Sequence, residues 1–234
     1  MRKMNIETIY KPKKEHFEKI EKYLISEQIS GNLPSVLSSF ERDVLIVLFE
    51  KDQLIGFSAY KANYPVSKID VLEIKKEFRK KGLGKKLAND TLREIKSKKG
   101  EVVELFCSPV DSESFWKIIG FKNLPETRFT GGKIIMYKTL IETLLPNETS
   151  DNEEIIELWN VEPHQASRNE PKWSWKINSS ELEKPIIQPT DCDWQICWRK
   201  GETELKKGKV KYFSSNQINF GNFIILRDLK SIKH

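Results

Sequence analysis

Between Pro12 and Ile29 the apolar residues Phe17, Ile20, Tyr23 and Leu24 recur at spacings of three and four in an otherwise charged segment. That spacing predicts an amphipathic helix lying on the outside of a core. The pattern then changes period. Asp43 to Glu50 (DVLIVLFE) and Gln53 to Tyr60 (QLIGFSAY) are rich in β-branched and aromatic residues and are separated by Lys51-Asp52, the pattern of an antiparallel hairpin. Lys68 to Ile74 (KIDVLEI) reads as a third strand after a turn around Pro65. A basic, glycine-containing corner follows, and then Leu83, Leu87, Ala88, Thr91, Leu92 and Ile95 fall on one helical face until Gly100 ends the run. Glu101 to Cys107 (EVVELFC) predicts a strand, Ser112 to Ile119 a short helix closed by Gly120, and Lys133 to Leu140 (KIIMYKTL) a last strand after Gly131-Gly132.

From Pro146 to Glu154 (PNETSDNEE) the chain turns polar and acidic, which marks a boundary near residue 145. Residues 1–145 then form one domain and 146–234 a small β-rich module. The latter carries five of the six tryptophans and strand-like runs at Asp193 to Arg199, Lys209 to Phe213 and Asn222 to Leu226. In DWQICWRK, Trp194, Ile196 and Trp198 alternate with Gln195, Cys197 and Arg199, as in a half-buried strand. A length of 234 residues suits one ordinary domain plus a smaller one, and 38% hydrophobic residues suffice for a core. The net charge of +6 favours anionic partners without naming one.

The longest apolar run, Val44 to Phe49, is far too short to cross a bilayer, and Met1 to Tyr10 hold no apolar run of signal-peptide length, so neither secretion nor a membrane span is expected. With three cysteines and no disulfide framework, a cytoplasmic location is expected. Cys192 and Cys197 lack a second CxxC pair or an HxxxH, so no metal site is expected. Lys206, Lys207, Lys209 and Lys211 beside Tyr212 and Phe213 would suit nucleic acid, although a solvated lysine-rich hairpin accounts for them without a ligand.

The corner Arg79-Lys80-Lys81-Gly82-Leu83-Gly84-Lys85 lies between a strand and the first turn of a helix, where unpaired N–H groups and the helix dipole converge. It is an anion cradle. It matches neither GxxxxGK[ST] nor GxGxxG. The order Ile74-x-x-x-Phe78-Arg79-Lys80-Lys81-Gly82-Leu83-Gly84, followed about thirty residues later by Phe115-Trp116-Lys117-Ile118-Ile119-Gly120-Phe121, resembles the GNAT superfamily of acyl-CoA-dependent N-acetyltransferases. The resemblance covers residues 1 to about 141 and leaves the remainder unassigned. It implies an α/β (α+β) fold with a mixed, mostly antiparallel sheet flanked by helices. It also implies that the amides of Gly82, Leu83, Gly84 and Lys85 hold the pyrophosphate of acetyl-CoA, with Arg79, Lys80 and Lys81 in support. The strand ending at Ile74, diverging from the one near Leu105, would pair with the pantetheine arm.

Acyl transfer to an amine needs the neutral amine, and an amine of pKa about 10.4 costs roughly 4–5 kcal/mol to deprotonate at pH 7. Asp70, four residues before Ile74 and of the same strand parity, is the candidate general base. Glu73 has the opposite parity, and a bulge would reverse the order of the two. Many members of the resembled family carry a Tyr after the Phe of the second motif as the acid for the leaving thiolate. Trp116 stands there instead, and an indole N–H does not give up its proton near neutral pH. Ser114, Cys107 and Tyr137 are substitutes to weigh, each with an ordinary structural role as the alternative. The expected activity is transfer of an acetyl group from acetyl-CoA to a primary amine, on a small molecule or a protein, by direct attack in a ternary complex. The alternatives are a catalytically weak acyl-CoA sensor, and a transferase whose C-terminal module recruits an RNA-linked acceptor. That module would otherwise shape the acceptor pocket or make a homo-oligomer contact.

Overall fold

The alternation in LIVLFE and QLIGFSAYK carries no polar face, because the strands it builds are covered on both sides. A computed structural model describes residues 5–125, 133–146, 154–177, 182–213 and 219–227. The chain divides into two units, Met1–Asn123 with Lys133–Leu140 and Leu124–Gly132 with Ile141–His234.

The first unit runs β1 (Ile6–Ile9), α1 (Lys14–Ser26), α2 (Leu33–Glu41), β2 (Leu45–Glu50), β3 (Gln53–Lys61), β4 (Val66–Ile74), α3 (Leu83–Ser97), β5 (Val102–Phe106), α4 (Glu113–Ile119), β6 (Lys122–Asn123) and β7 (Ile135–Thr139). The strands form one sheet in the order β1-β2-β3-β4-β5-β7-β6. Every neighbouring pair is antiparallel except β4 and β5, which are parallel and joined through α3. The expected mixed, mostly antiparallel sheet flanked by helices is therefore present.

On one face Ile46, Leu48, Ile55, Tyr60 and Ile69 pack with Leu87, Ala88 and Ile95 of α3 and Trp116 and Ile119 of α4. On the other, Leu45, Val47, Phe49, Phe57, Ala59 and Val71 pack with Phe17, Ile20 and Leu24 of α1 and Val36 of α2. Three elements have no counterpart in the hydrophobic pattern: α2, β1 and the two-residue β6. The helix α2 is nine residues with two buried positions, Val36 and Ser39, and the Ser39 hydroxyl donates to the Tyr60 carbonyl (3.4 Å). The four-residue strand β1 sits at the sheet edge. It is tied to α3 by the Lys86 ammonium, which donates to both Thr8 Oγ1 and the buried Asp90 carboxylate (each 2.6 Å).

The second unit contains β8 (Glu154–Leu158), a short helix α5 (Pro163–Ala166), β9 (Trp173–Ile177), β10 (Ile186–Pro189), β11 (Gln195–Lys200), β12 (Thr203–Lys209), a single turn α6 (Val210–Phe213), β13 (Asn219–Phe220) and β14 (Phe223–Leu226). Sheets β12-β11-β8-β9 and β10-β14-β13 share a core of Ile156, Trp175, Trp194, Ile196, Trp198, Phe213, Ile224 and Leu226. Two expectations are corrected here. The segment 209–213 is helical after Lys209, because Val210 and Phe213, three apart, both turn into that core. The strand β11 is not half-buried: Gln195 through Trp198 are all covered, with Cys197 packed against Trp159 and Ala166 on the face opposite the tryptophans. Burial pushes the Cys197 thiol up to about 11. The lysines on and after β12 are paired: Lys207 with Glu204 (2.7 Å), Lys209 with Glu162 (2.8 Å) and Asp193 (3.2 Å), and Lys211 with Asp193 (2.6 Å). Gly131-Gly132 and the acidic stretch 147–153 lie outside the described residues. Among the described residues no helix is long and apolar enough to cross a membrane.

Leu87 is fully buried between α3 and the sheet, whereas Ile118 on α4 is 74% exposed. In urea denaturation, Leu87→Ala is expected to lower stability by about 2–5 kcal/mol and Ile118→Ala to change it by about 0.5 kcal/mol or less.

Candidate functional site

The parallel pairing of β4 with β5 begins at Val66 opposite Val102 and ends at Ile69 opposite Leu105. β5 stops at Phe106 while β4 continues to Ile74, so the last five residues of β4 have no strand on that side. A cleft of about 860 Å³ opens there. Its walls are Ile69 to Ile74 of β4, the corner before α3, Leu105, Phe106, Ser108, Pro109 and Ser112 around the end of β5, and Phe115 and Trp116 of α4. Ile29 and Asn32, between α1 and α2, complete it.

At the corner, α3 starts with Leu83 and its first turn closes through Lys86 N–H to the Gly82 carbonyl (3.1 Å). The N–H groups of Leu83, Gly84 and Lys85 thus have no intrahelical acceptor, and among the described residues no side-chain cap is present. Gly82 has φ +79°, a conformation that other residues adopt at a cost. A Cβ on Gly84 would stand 3.3 Å from Phe115 Cε2, so glycine there keeps the space between α3 and α4 open. Gly82, Gly84, Lys80 and Lys85 line the cleft. Lys81 does not: its ammonium donates to the Glu77 carbonyl (2.9 Å) and lies over the Phe78 ring. The Leu83 side chain is in the core. Free N–H donors at a helix start, flanked by two lysines, are suited to a phosphate-bearing ligand.

Two carboxylates line the cleft. The register of β3 and β4 shifts so that Tyr60 faces Ile69 and Ala59 faces Val71, which makes Asp70 the inserted residue of a bulge. The parity count that groups Asp70 with Ile74 breaks at that residue: Ile69 packs with α3 while Val71 packs with α1 and α2. The Asp70 carboxylate is 9% exposed and lies between the ammonium groups of Lys61 (3.4 Å) and Lys68 (3.8 Å). Its Oδ2 is buried without a hydrogen bond, so these are charge contacts only.

Glu73, 20% exposed, accepts from Arg79 Nη2 (2.7 Å) and from the Tyr23 hydroxyl (3.4 Å) at Oε1. Burial first, and then the charge of Glu73, holds the Tyr23 hydroxyl in its protonated form well above the ordinary phenol range. Arg79, expected beside phosphate, lines the cleft but uses its guanidinium on Glu73 and, through Nε, on the Ile74 carbonyl (2.8 Å).

Trp116 is buried edge-on between Phe115 and Phe121 and lines the cleft. Cys107, Ser114 and Tyr137 do not line it. The Cys107 thiol is buried beside Ser112 Oγ (3.3 Å), Ser114 donates to the Asp111 carbonyl (3.5 Å), and burial raises the Tyr137 hydroxyl. Sequence reasoning missed Tyr23, Ile29 and Asn32 as neighbours of this cleft. Tyr23 was visible only as a member of an apolar stripe, and nothing local distinguishes the other two.

A fold that splays β4 from β5 beside an uncapped helix start defines a class, and the chain belongs to it: the family model of the acetyltransferase (GNAT) domain matches residues 11–139. The sequence resemblance and the expected fold class both hold. Among solved structures, the PaiA N-acetyltransferase from Thermoplasma acidophilum in complex with coenzyme A is 22% identical with a TM-score of 0.50, covering 58% of this chain and 99% of that one. Ard1 from Thermoplasma volcanium is 16% identical (TM-score 0.47; 58% and 99% covered). Aminoglycoside 6'-acetyltransferase type Ii is 20% identical (TM-score 0.49; 59% and 99% covered). No curated protein matches the chain.

Because Gly82 sits in the left-handed region, Gly82→Ala is expected to lower stability by about 1–2 kcal/mol in thermal or urea unfolding. Gly31, whose added Cβ would meet nothing within 4 Å and whose φ is ordinary, is the control.

Proposed function

We propose that the first unit transfers an acetyl group from acetyl-CoA to a primary amine by direct attack in a ternary complex. The observation that carries this reading is the meeting, in one cleft, of an unpaired strand edge and a helix start with free N–H donors. The first suits the amide groups of an extended arm and the second its diphosphate. The crystallisation of the PaiA relative with coenzyme A supports the same ligand.

Bound acetyl-CoA supplies the activated thioester. The ammonium first loses one proton to a carboxylate of the cleft; as the nitrogen then forms the C–N bond and the C–S bond breaks, its second proton leaves through water, which protonates the departing thiolate. We assign the first proton to Glu73 rather than Asp70. Both line the cleft, but Asp70 is held between two ammonium groups, whereas the bonds of Glu73 are concentrated on Oε1. Asp70 then keeps Lys61 and Lys68 in place along the β4 bulge. Trp116 supplies no proton to the departing thiolate, and with a thiol pKa near 8.5 water suffices as the donor. A sensor that binds acyl-CoA without turnover is the second reading, favoured by Trp116 alone.

Calorimetry with coenzyme A and a thiol-release assay across an amine panel test this. Glu73→Gln is expected to lower kcat by about 10²–10⁴-fold while coenzyme A still binds, and Asp70→Asn to lower it less. The opposite ranking returns the base to Asp70. Binding without thiol release from any amine supports the sensor, and no heat with coenzyme A removes both readings.

A further inference from the structure

The carbonyl groups at the end of β4 alternate in direction. Lys75 N–H donates to the Ile55 carbonyl of β3 (2.9 Å), and the Glu73 carbonyl oxygen lies where a Cβ on Gly56 of β3 would stand. The Ile74 carbonyl therefore faces the open edge, toward the cleft. It is not vacant: Arg79 Nε donates to it at 2.8 Å, and Nη2 of the same guanidinium donates to Glu73 Oε1 at 2.7 Å. One half-exposed side chain thus occupies the edge acceptor and the carboxylate assigned to the proton. Arg79 is also three residues before Gly82, within side-chain reach of the corner whose N–H groups are free.

We propose that Arg79 is a positioning residue that couples occupancy of the anion corner to the availability of Glu73. Without a diphosphate the guanidinium holds Glu73 and covers the Ile74 carbonyl. A diphosphate at residues 82–85 competes for the guanidinium through charge-assisted hydrogen bonds stronger than those to a single carboxylate oxygen. When it wins, the edge carbonyl is free for an amide N–H of the arm, and the Glu73 carboxylate is free for the acceptor's proton. Tyr23 then remains as the hydrogen-bond donor that fixes the rotamer of Glu73. The step needs no bond to form or break, only the exchange of one set of hydrogen bonds for another. The proposal rests on reading the cleft as the acetyl-CoA site, and it goes further in linking cofactor binding to the proton-accepting group.

The test is a double-mutant cycle on coenzyme A affinity, measured by calorimetry on the full chain with Glu73→Gln, Arg79→Ala and the double variant. Glu73→Gln removes the competitor and is expected to tighten coenzyme A by about three- to tenfold. Arg79→Ala is expected to weaken it, and in that background Glu73→Gln is expected to have no further effect. A general field effect of the deleted charge would tighten both backgrounds equally, and that result overturns the coupling, as does no tightening in Glu73→Gln alone. In turnover, Arg79→Ala should raise KM for acetyl-CoA by a larger factor than it lowers kcat at saturation. A purely structural role would lower kcat without a selective rise in KM for acetyl-CoA. Arg79→Lys, which keeps the charge and cannot bridge both acceptors, should restore part of the affinity and covers the case in which Arg79→Ala fails to fold. Failure of the wild-type chain to bind coenzyme A would remove the site itself, an outcome distinct from binding without coupling.

Discussion

The organising constraint of the first unit is the early end of a hydrogen-bond ladder. A buried backbone donor or acceptor must find a partner, and β4 carries five residues past the last pairing with β5. Folding alone leaves that edge incompletely matched. The unit meets the requirement in part by turning Arg79 back onto the Ile74 carbonyl and otherwise by leaving a cleft. The parallel crossover through α3 brings the uncapped start of that helix to the same opening. Strand edge and helix start are both unsatisfied backbone, and their proximity in one cleft is what the proposed extended, anionic ligand would use.

Around this backbone framework the side chains divide into two charge systems. Asp70 is bracketed by Lys61 and Lys68, and Glu73 by Arg79 and Tyr23. The separation follows from the bulge, since an inserted residue in β4 changes which neighbours each carboxylate meets. The apolar wall is contributed by Phe115 and Trp116 on a seven-residue helix whose other buried residues enter the same core as α3. Position 116 is therefore held by ring packing on both sides, and its indole fills the wall without offering an acidic proton.

Much of this was legible in the chain. The hairpin β2–β3, the helix α3, the strand β5 and the short helix α4 closed by Gly120 all carry strong local signals: alternation, a 3.6-residue period, or a glycine in the left-handed region. The helix start at Gly82–Lys85 was legible for the same reason, because a helix start with glycines is a local feature. The helix α2 and strand β1 were not, being too short for periodicity and stabilised by contacts such as Ser39 with Tyr60 and Thr8 with Lys86. In the second unit the segment after Lys209 was misread as strand, since four residues of mixed polarity fit either geometry until a core decides which side chains turn inward.

Sequence by itself determined most of the element types of the first unit, the glycine-containing helix start at residues 82–85 and the family, because those depend on spacing along one segment. Which carboxylate faces which cation, that Arg79 turns to Glu73 and Ile74, that Tyr23 bonds Glu73, and that Ile29 and Asn32 line the cleft were decided only by tertiary structure. Each is a relation between segments distant in the chain or depends on a one-residue bulge, and a single inserted residue in β4 reverses the side-chain directions that a parity count assigns across it.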